Sequence, residues 1–356
     1  MSADKALPRG AAAPQAAVPG PGSPVSDAPA LLRVRDLHVH FPLGGGLFGP
    51  RRVVKAVDGV SFDVRRGSTF GIVGESGSGK STTALAVMRL VKITSGTVHL
   101  GTAEIGALEG AALQRERHRF QMVFQDPYAS LNPRKRAGDA ILDALNLMNV
   151  GEPGQRPARA RELFLQTGLR PEQLQLFPHQ FSGGQRQRIV LARALAARPE
   201  LVVCDEPVSA LDVAIQAQML NLMLRLQRDF GLTYLFISHD LGVVRHVCDE
   251  VAVMYLGRIV ERAGRDALFA QPLHPYTRAL WSAAPSFDPD ARSRRGRIRL
   301  QGDPPSPLAV PKGCRFAGRC PHAQAACKEA EPPLREVAPG HAVACHRVGE
   351  AGQVLY

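Results

Sequence analysis

A chain of 356 residues that is 45% hydrophobic and 6% aromatic has room for one large core with appendages, or for two domains. Its 44 Lys and Arg against 32 Asp and Glu leave a net charge of +12, which favours anionic partners such as nucleotide, nucleic acid or an acidic bilayer face. No stretch approaches the roughly 18 uninterrupted apolar residues of a membrane span, so a link to a membrane is expected to run through partners or surface contact.

Residues 1–30, rich in Ala, Pro and Gly without a continuous apolar segment, read as a disordered leader rather than a signal peptide. A β-rich region follows from Leu32 to Val64. The apolar segment "STFGIV" then predicts a strand that runs into "GESGSGKS", Gly74 to Ser81, ahead of the helical pattern "TTALAVMRL". This is the G-x-x-x-x-G-K-S phosphate loop in its strand–loop–helix context. Gly74, Gly77 and Gly79 let the backbone wrap closely. Donors to phosphate come from the N–H groups around Glu75, Ser76 and Ser78 and from the helix start at Lys80, Ser81 and Thr82. Lys80 is expected to neutralise the β- and γ-phosphates, and Ser81 to place its hydroxyl on Mg²⁺.

Further along, "FSGGQRQRIVLARAL" opens a long helix at Ser182, Gly183, Gly184 and Gln185, a second donor-rich N-terminus suited to a γ-phosphate. The run "LVVCDEP", Leu201 to Pro207, reads as a buried parallel strand ending in two carboxylates. Asp205 fits a Mg²⁺-associated carboxylate, and Glu206 is placed to polarise an attacking water. A second apolar strand, "LTYLFIS", ends at His239, which suits contact with a γ-phosphate.

These pieces, with Gln125 in "MVFQDP" and "SALD" from Ser209 to Asp212, resemble ATP-binding-cassette ATPases in content and order over about Leu32 to Ala284. The resemblance implies an α/β fold: a mostly parallel sheet flanked by helices, an antiparallel β-subdomain and a helical subdomain at about 130–180. It implies an ATPase domain at 31–284 and an extension at 285–356. Lys80, Gln125, Glu206 and His239 are then the catalytic set, with Ser81, Gln125 and Asp205 on Mg²⁺. The Ser182–Gln185 signature would serve ATP bound by the opposite subunit. For adenine stacking, Arg51 stands where an aromatic is usual, leaving Phe48 as the expectation and Phe41 as the alternative.

Downstream, "HPYTRALWSAAPS", "GDPPSP" and the cysteine-bearing tail resemble the extension of oligopeptide and dipeptide importer ATPases. "VFQDPYASLNPR" and "CDEPVSALDVAIQAQ" resemble their F-type subunit. Implied partners are a second ATPase subunit in a heterodimer, two transmembrane permease subunits and, through the complex, a solute-binding protein. Nucleic acid is not among them, and the implied location is the cytoplasmic face of the membrane. The competing reading is a soluble cassette ATPase in DNA repair or translation. The single cassette, with no long heptad insertion and no aromatic-interleaved basic patch, favours the importer.

Four cysteines close the chain as Cys-x5-Cys-x6-Cys-x17-Cys: Cys314, Cys320, Cys327 and Cys345. Clustered thiols in a cytosolic chain point to a metal before disulfides. The spacing lacks the Cys-x2-Cys knuckles usual for zinc, which favours a 4Fe-4S cluster, while His322, His341 and His346 keep a mixed zinc site open. Cys204 and Cys248 are expected to be ordinary buried residues.

Overall fold

Unbroken apolar runs form the centre of the molecule. The computed structural model describes residues 28–44, 52–283 and 298–356. Residues 1–27 of the expected leader, Phe48, Arg51 and the expected boundary at 284/285 lie outside them, while Ala30, expected at the leader's end, opens the first strand. The β-rich region folds as β1 (Ala30–Leu43) and β2 (Arg52–Arg65), and then comes β3 (Thr69–Val73), buried along its whole length. After α1 (Lys80–Val87), β4 (Ser95–Leu100) completes an antiparallel three-stranded sheet in the order β2-β1-β4.

A second sheet carries the parallel core. Helix α2 (Gly110–Glu116) leads to β5 (Phe120–Val123); β6 (Leu201–Asp205), β7 (Thr233–Ser238), β8 (Glu250–Tyr255) and β9 (Arg258–Gly264) follow. Strands β8, β3, β7, β6 and β5 lie side by side and parallel, and every residue of β3 and β7 is buried. Such two-face burial is why they read as continuous apolar runs rather than alternating ones.

Between β5 and β6 the chain forms a helical layer: α3 (Pro127–Ser130), α4 (Ala137–Leu147), α5 (Arg156–Gln166) and α6 (Gly183–Ala196). Ile141 and Leu145 on α4, and Ala160, Leu163 and Phe164 on α5, are buried in its core at the 3- to 4-residue spacing of helix faces. Helices α7 (Val213–Phe230) and α8 (Leu241–Val247) precede β7 and β8; α9 (Arg265–Ala270) and α10 (Pro275–Ala283) follow β9.

The tail does not stand apart as an appendage. Its hairpin, β10 (Arg335–Ala338) and β11 (His341–Val343), extends the main sheet to eight strands, with β11 antiparallel to β9 through Ala342↔Arg262 and Val343↔Glu261. The carboxylate of Glu261 is completely buried and holds this join together. It accepts hydrogen bonds from Leu273 N (2.7 Å), His274 N (2.9 Å) and His341 Nε2 (2.8 Å). Sequence periodicity carries no sign of a contact spanning 80 residues.

Glu261→Ala removes one acceptor and strands three buried donors, so the unfolding free energy should fall by about 2–4 kcal/mol. Urea unfolding of the purified chain measures this, and an unchanged midpoint would show that the carboxylate is not the staple.

Candidate nucleotide site

The phosphate loop is wedged between β8 and β2. A Cβ at Gly74 would sit 2.2 Å from the Met254 carbonyl, and one at Gly79, where φ is +105°, would sit 2.2 Å from the Ala56 carbonyl. Only glycine fits at either point. Within the loop, the buried Lys80 Nζ donates to the carbonyls of Gly74 (2.8 Å) and Glu75 (2.9 Å). Burial pulls its ammonium below the ordinary lysine range, and the charges of Glu206, Asp205 and Glu75 oppose that shift. The Ser78 hydroxyl is buried without a hydrogen-bond partner. An orphaned donor, a buried cation and a helix start around one glycine cradle fit a bound polyphosphate.

Asp205 closes β6, and its Oδ1 accepts from Ser81 Oγ at 3.0 Å. Burial raises the Asp205 carboxyl, the Ser81 hydrogen bond offsets part of that, and the neighbouring Glu206 charge raises it further. A hydroxyl and a partly desolvated carboxylate in contact form a donor set that suits Mg²⁺.

Glu206 adopts a left-handed backbone, φ 48°, a costly conformation for a non-glycine residue. Its N–H donates to Ile237 O at 2.9 Å, and its own carbonyl accepts from Ser209 Oγ at 3.0 Å. So turned, its carboxylate accepts from Gln125 Nε2 at 3.0 Å through Oε2 and lies 3.0 Å from His239 Nδ1 through Oε1. Residues 125, 206 and 239 follow β5, β6 and β7, so three strand ends converge on one carboxylate at the carboxyl edge of the sheet, beside the loop that follows β3. That edge is where open α/β sheets bind ligands.

The Ser182–Gln185 motif starts α6 with a capping box: Gln185 N donates to Ser182 Oγ at 3.3 Å, and Ser182 N donates to Gln185 Oε1 at 3.0 Å. Among the described residues no hydrogen bond or ion pair joins this motif to the phosphate loop. Phe41 lies near the end of β1 as a partly exposed ring. Sequence reasoning missed two residues: Tyr276, whose hydroxyl accepts from Glu75 N at 2.8 Å, and Arg319, whose guanidinium pairs with the Glu75 carboxylate at 2.8 Å. Both lie more than 200 positions from Glu75, and the one signal was their place in motifs without an assigned role.

The four tail cysteines are free, as are Cys204 and Cys248, both fully buried in the core. Burial pushes the thiols of Cys314 and Cys345 up to about 11, against the pull of backbone N–H groups from Phe316 and Arg347. Each of Cys314 and Cys345 feels the charges of other tail cysteines, so the group is gathered in space. The tight set of three metal-type ligand atoms among the described residues, all within 4.8 Å of one another, is a different one: His38, His40 and Asp58.

A family profile described as "ABC transporter" matches residues 57–209, and one described as "Oligopeptide/dipeptide transporter, C-terminal region" matches 260–327. The oligopeptide transport ATP-binding protein AppF of Bacillus subtilis is 51% identical over 319 residues, covering 89% of this chain and 97% of AppF. The chain belongs to the ATP-binding-cassette transporter family. The cassette is also 46% identical to the dipeptide transport ATP-binding protein DppF of Escherichia coli over 320 residues, covering 90% of the cassette chain and 95% of DppF. Its fold superposes with a TM-score of 0.58 on the dimeric, post-hydrolysis ATP-binding cassette MJ0796 bound to ADP and Pi. That match is 26% identical and covers 66% of this chain and 98% of that one. The cassette is an ATPase of mixed α/β fold.

Glu206→Gln should keep ATP binding and lose hydrolysis by about 10²- to 10⁴-fold, since an amide cannot take a proton from water. Single-turnover ATP cleavage by the purified chain measures it, and a near-unchanged rate would remove Glu206 from the chemistry.

Proposed function

We propose that this ATPase is the energising subunit of a peptide importer. The observation that supports it most is likeness to AppF and DppF along nearly their whole length, including the C-terminal region shared with oligopeptide and dipeptide transporters. The basic charge balance gives the repair or translation reading no comparable support.

In this reading the loop from Gly74 to Thr82 holds the ATP phosphates, with Lys80 and the orphaned Ser78 hydroxyl turning to them. Ser81, Asp205 and Gln125 would hold Mg²⁺, which supplies charge neutralisation and alignment of the phosphates. Glu206 accepts a proton from the attacking water. Its left-handed backbone and its contacts to Gln125 and His239 aim the carboxylate before the reaction begins, so little reorganisation remains. His239 stays solvent-accessible on the open side, where a γ-phosphate would meet it. Phe41 is the described ring available to adenine.

Ser182, Gly183, Gly184 and Gln185 complete the site of a partner cassette. Ser182 is exposed, and the structural relative MJ0796 is a dimer. No described helix is long and apolar enough to cross a membrane. Attachment to the cytoplasmic face therefore falls to two permease subunits, and a solute-binding protein joins through them. The segment around Gln125 suits that contact: Phe124 is 38% exposed and Tyr128 65%.

Gln125→Ala should leave ATP binding intact and uncouple hydrolysis from transport. Uptake of a labelled dipeptide, in cells whose own copy is deleted and replaced by this variant, should fall sharply. Full uptake would refute the coupling role, and peptide uptake unaffected by the deletion itself would refute the importer.

The tail cysteines are proposed to hold a 4Fe-4S cluster. Arg347 N donates to Cys345 Sγ at 3.3 Å, and backbone N–H groups nearby pull the thiols of Cys314 and Cys320 down against their burial, surroundings that favour ligating thiolates. As free groups, Cys314 and Cys345 with a pKa near 11 would be protonated at neutral pH, and deprotonation would come with the metal. Protein purified without air should be brown from iron–thiolate charge transfer; one stoichiometric zinc in colourless protein would replace iron, and no metal would refute both.

A further inference from the structure

Glu75 places a carboxylate in the phosphate loop itself, where a polyphosphate would sit beside a like charge. That carboxylate is near enough to Lys80 for its charge to act on the ammonium. The group facing it comes from the other end of the chain. Arg319 Nη1 lies 2.8 Å from Glu75 Oε2 and Nη2 lies 3.2 Å from Oε1, a bidentate pair. The Arg319 side chain is only 9% exposed, and that of Glu75 29%, so the pair is largely withdrawn from solvent. The same loop residue is held from its backbone side by the Tyr276 hydroxyl, which accepts from Glu75 N.

Arg319 is itself held firmly. It lies in the turn between Cys314 and Cys320, and Arg319 N donates to Phe316 O at 3.0 Å. Four residues earlier, Arg315 is 5% exposed; it pairs with Asp58 and with Glu331 and donates to the Leu256 carbonyl. Asp58 belongs to β2, and Leu256 immediately follows β8, so the turn is pinned against the two elements between which the phosphate loop is wedged.

We infer that Arg319 is a positioning residue of the ATP site, neutralising Glu75 and fixing the phosphate loop, so that the C-terminal extension sets the affinity for ATP. The inference rests on the phosphate loop being the nucleotide site, as proposed above. Without Arg319, the Glu75 carboxylate would be left unpaired beside the triphosphate. Repulsion would then weaken ATP in the ground state, while Glu206 and the chemistry it serves stay as they are.

The test titrates the purified full chain with a fluorescent ATP analogue in four versions: unchanged, Arg319→Gln, Glu75→Gln and the double variant. Arg319→Gln should weaken binding roughly three- to tenfold. In the Glu75→Gln background the same change should stay within about twofold, because the charge it would expose is gone. Equal affinity for Arg319→Gln and the unchanged chain would overturn the inference. So would an equal loss in both backgrounds, the mark of a purely structural role. Should Arg319→Gln fail to fold by circular dichroism, Arg319→Met, which removes the charge but keeps an apolar stem of similar length, compared across the two backgrounds reads the same coupling. Failure of the unchanged chain to bind the analogue would overturn the nucleotide site and this inference together, whereas binding that ignores Arg319 would overturn the inference alone.

Discussion

In-step parallel pairing sets Val73 beside Ser238, Ile237 beside Asp205 and Cys204 beside Val123. Four strands thereby end on nearly one line, and the segments that leave them carry Lys80, Ser81, Gln125, Glu206 and His239. The register is not free to drift. A slip of one residue would turn Asp205 to the opposite face and break the bond from Glu206 N to Ile237 O. That bond is what lets Glu206 hold a left-handed backbone, so its cost is met by the sheet rather than by the loop. The same closeness creates an electrostatic load: Asp205, Glu206 and Lys80 share a partly buried space, and burial pushes both Asp205 and Lys80 towards their neutral forms. A bound magnesium–polyphosphate would reverse both pressures, since it brings charges of each sign to those groups.

Much of this was written locally in the chain. The glycine spacing of 74–79, the apolar runs of β3, β6 and β7, and the Ser-x-x-Gln start of α6 each work through neighbours a few positions apart, and each is found where its pattern places it. What the sequence kept hidden acts across long separations. Nothing near Glu206 announces its positive φ, which depends on a strand thirty positions on. Tyr276 and Arg319 carry ordinary local patterns, and their meeting with Glu75 depends on how the tail folds back. Strands β10 and β11 are only four and three residues long, too short for periodicity to distinguish from loop.

Asp58 shows how tightly that return is made. It is almost wholly buried, with His38, His40, Lys55, Arg258 and Arg315 all within 4.0 Å of its oxygens. Burial alone would raise its carboxyl, but hydrogen bonds from Arg315 and His40 prevail and hold it well below the ordinary range. With three permanent cations around it, the His38–His40–Asp58 group reads as a charge knot rather than a metal site. It ties β1, β2, the β8–β9 turn and the tail into one body. A buried carboxylate so surrounded is stable only while all its partners are present, which makes the join cooperative rather than additive.

The hairpin on β9 has a consequence for solubility. Strand β9 would otherwise be the last of the sheet, with a row of unpaired N–H and carbonyl groups alongside Val260 and Glu261. Strand β11 takes up that row, and Ala344 N donates to Val260 O at 2.8 Å just beyond it. The outermost strand on this side is then β10, four residues long and opening with Arg335 and Glu336, a short and charged margin of the kind that discourages edge-to-edge association. A chain cut before the hairpin would lose more than Cys345: it would present β9 as a sticky margin, ready to recruit strands from other molecules.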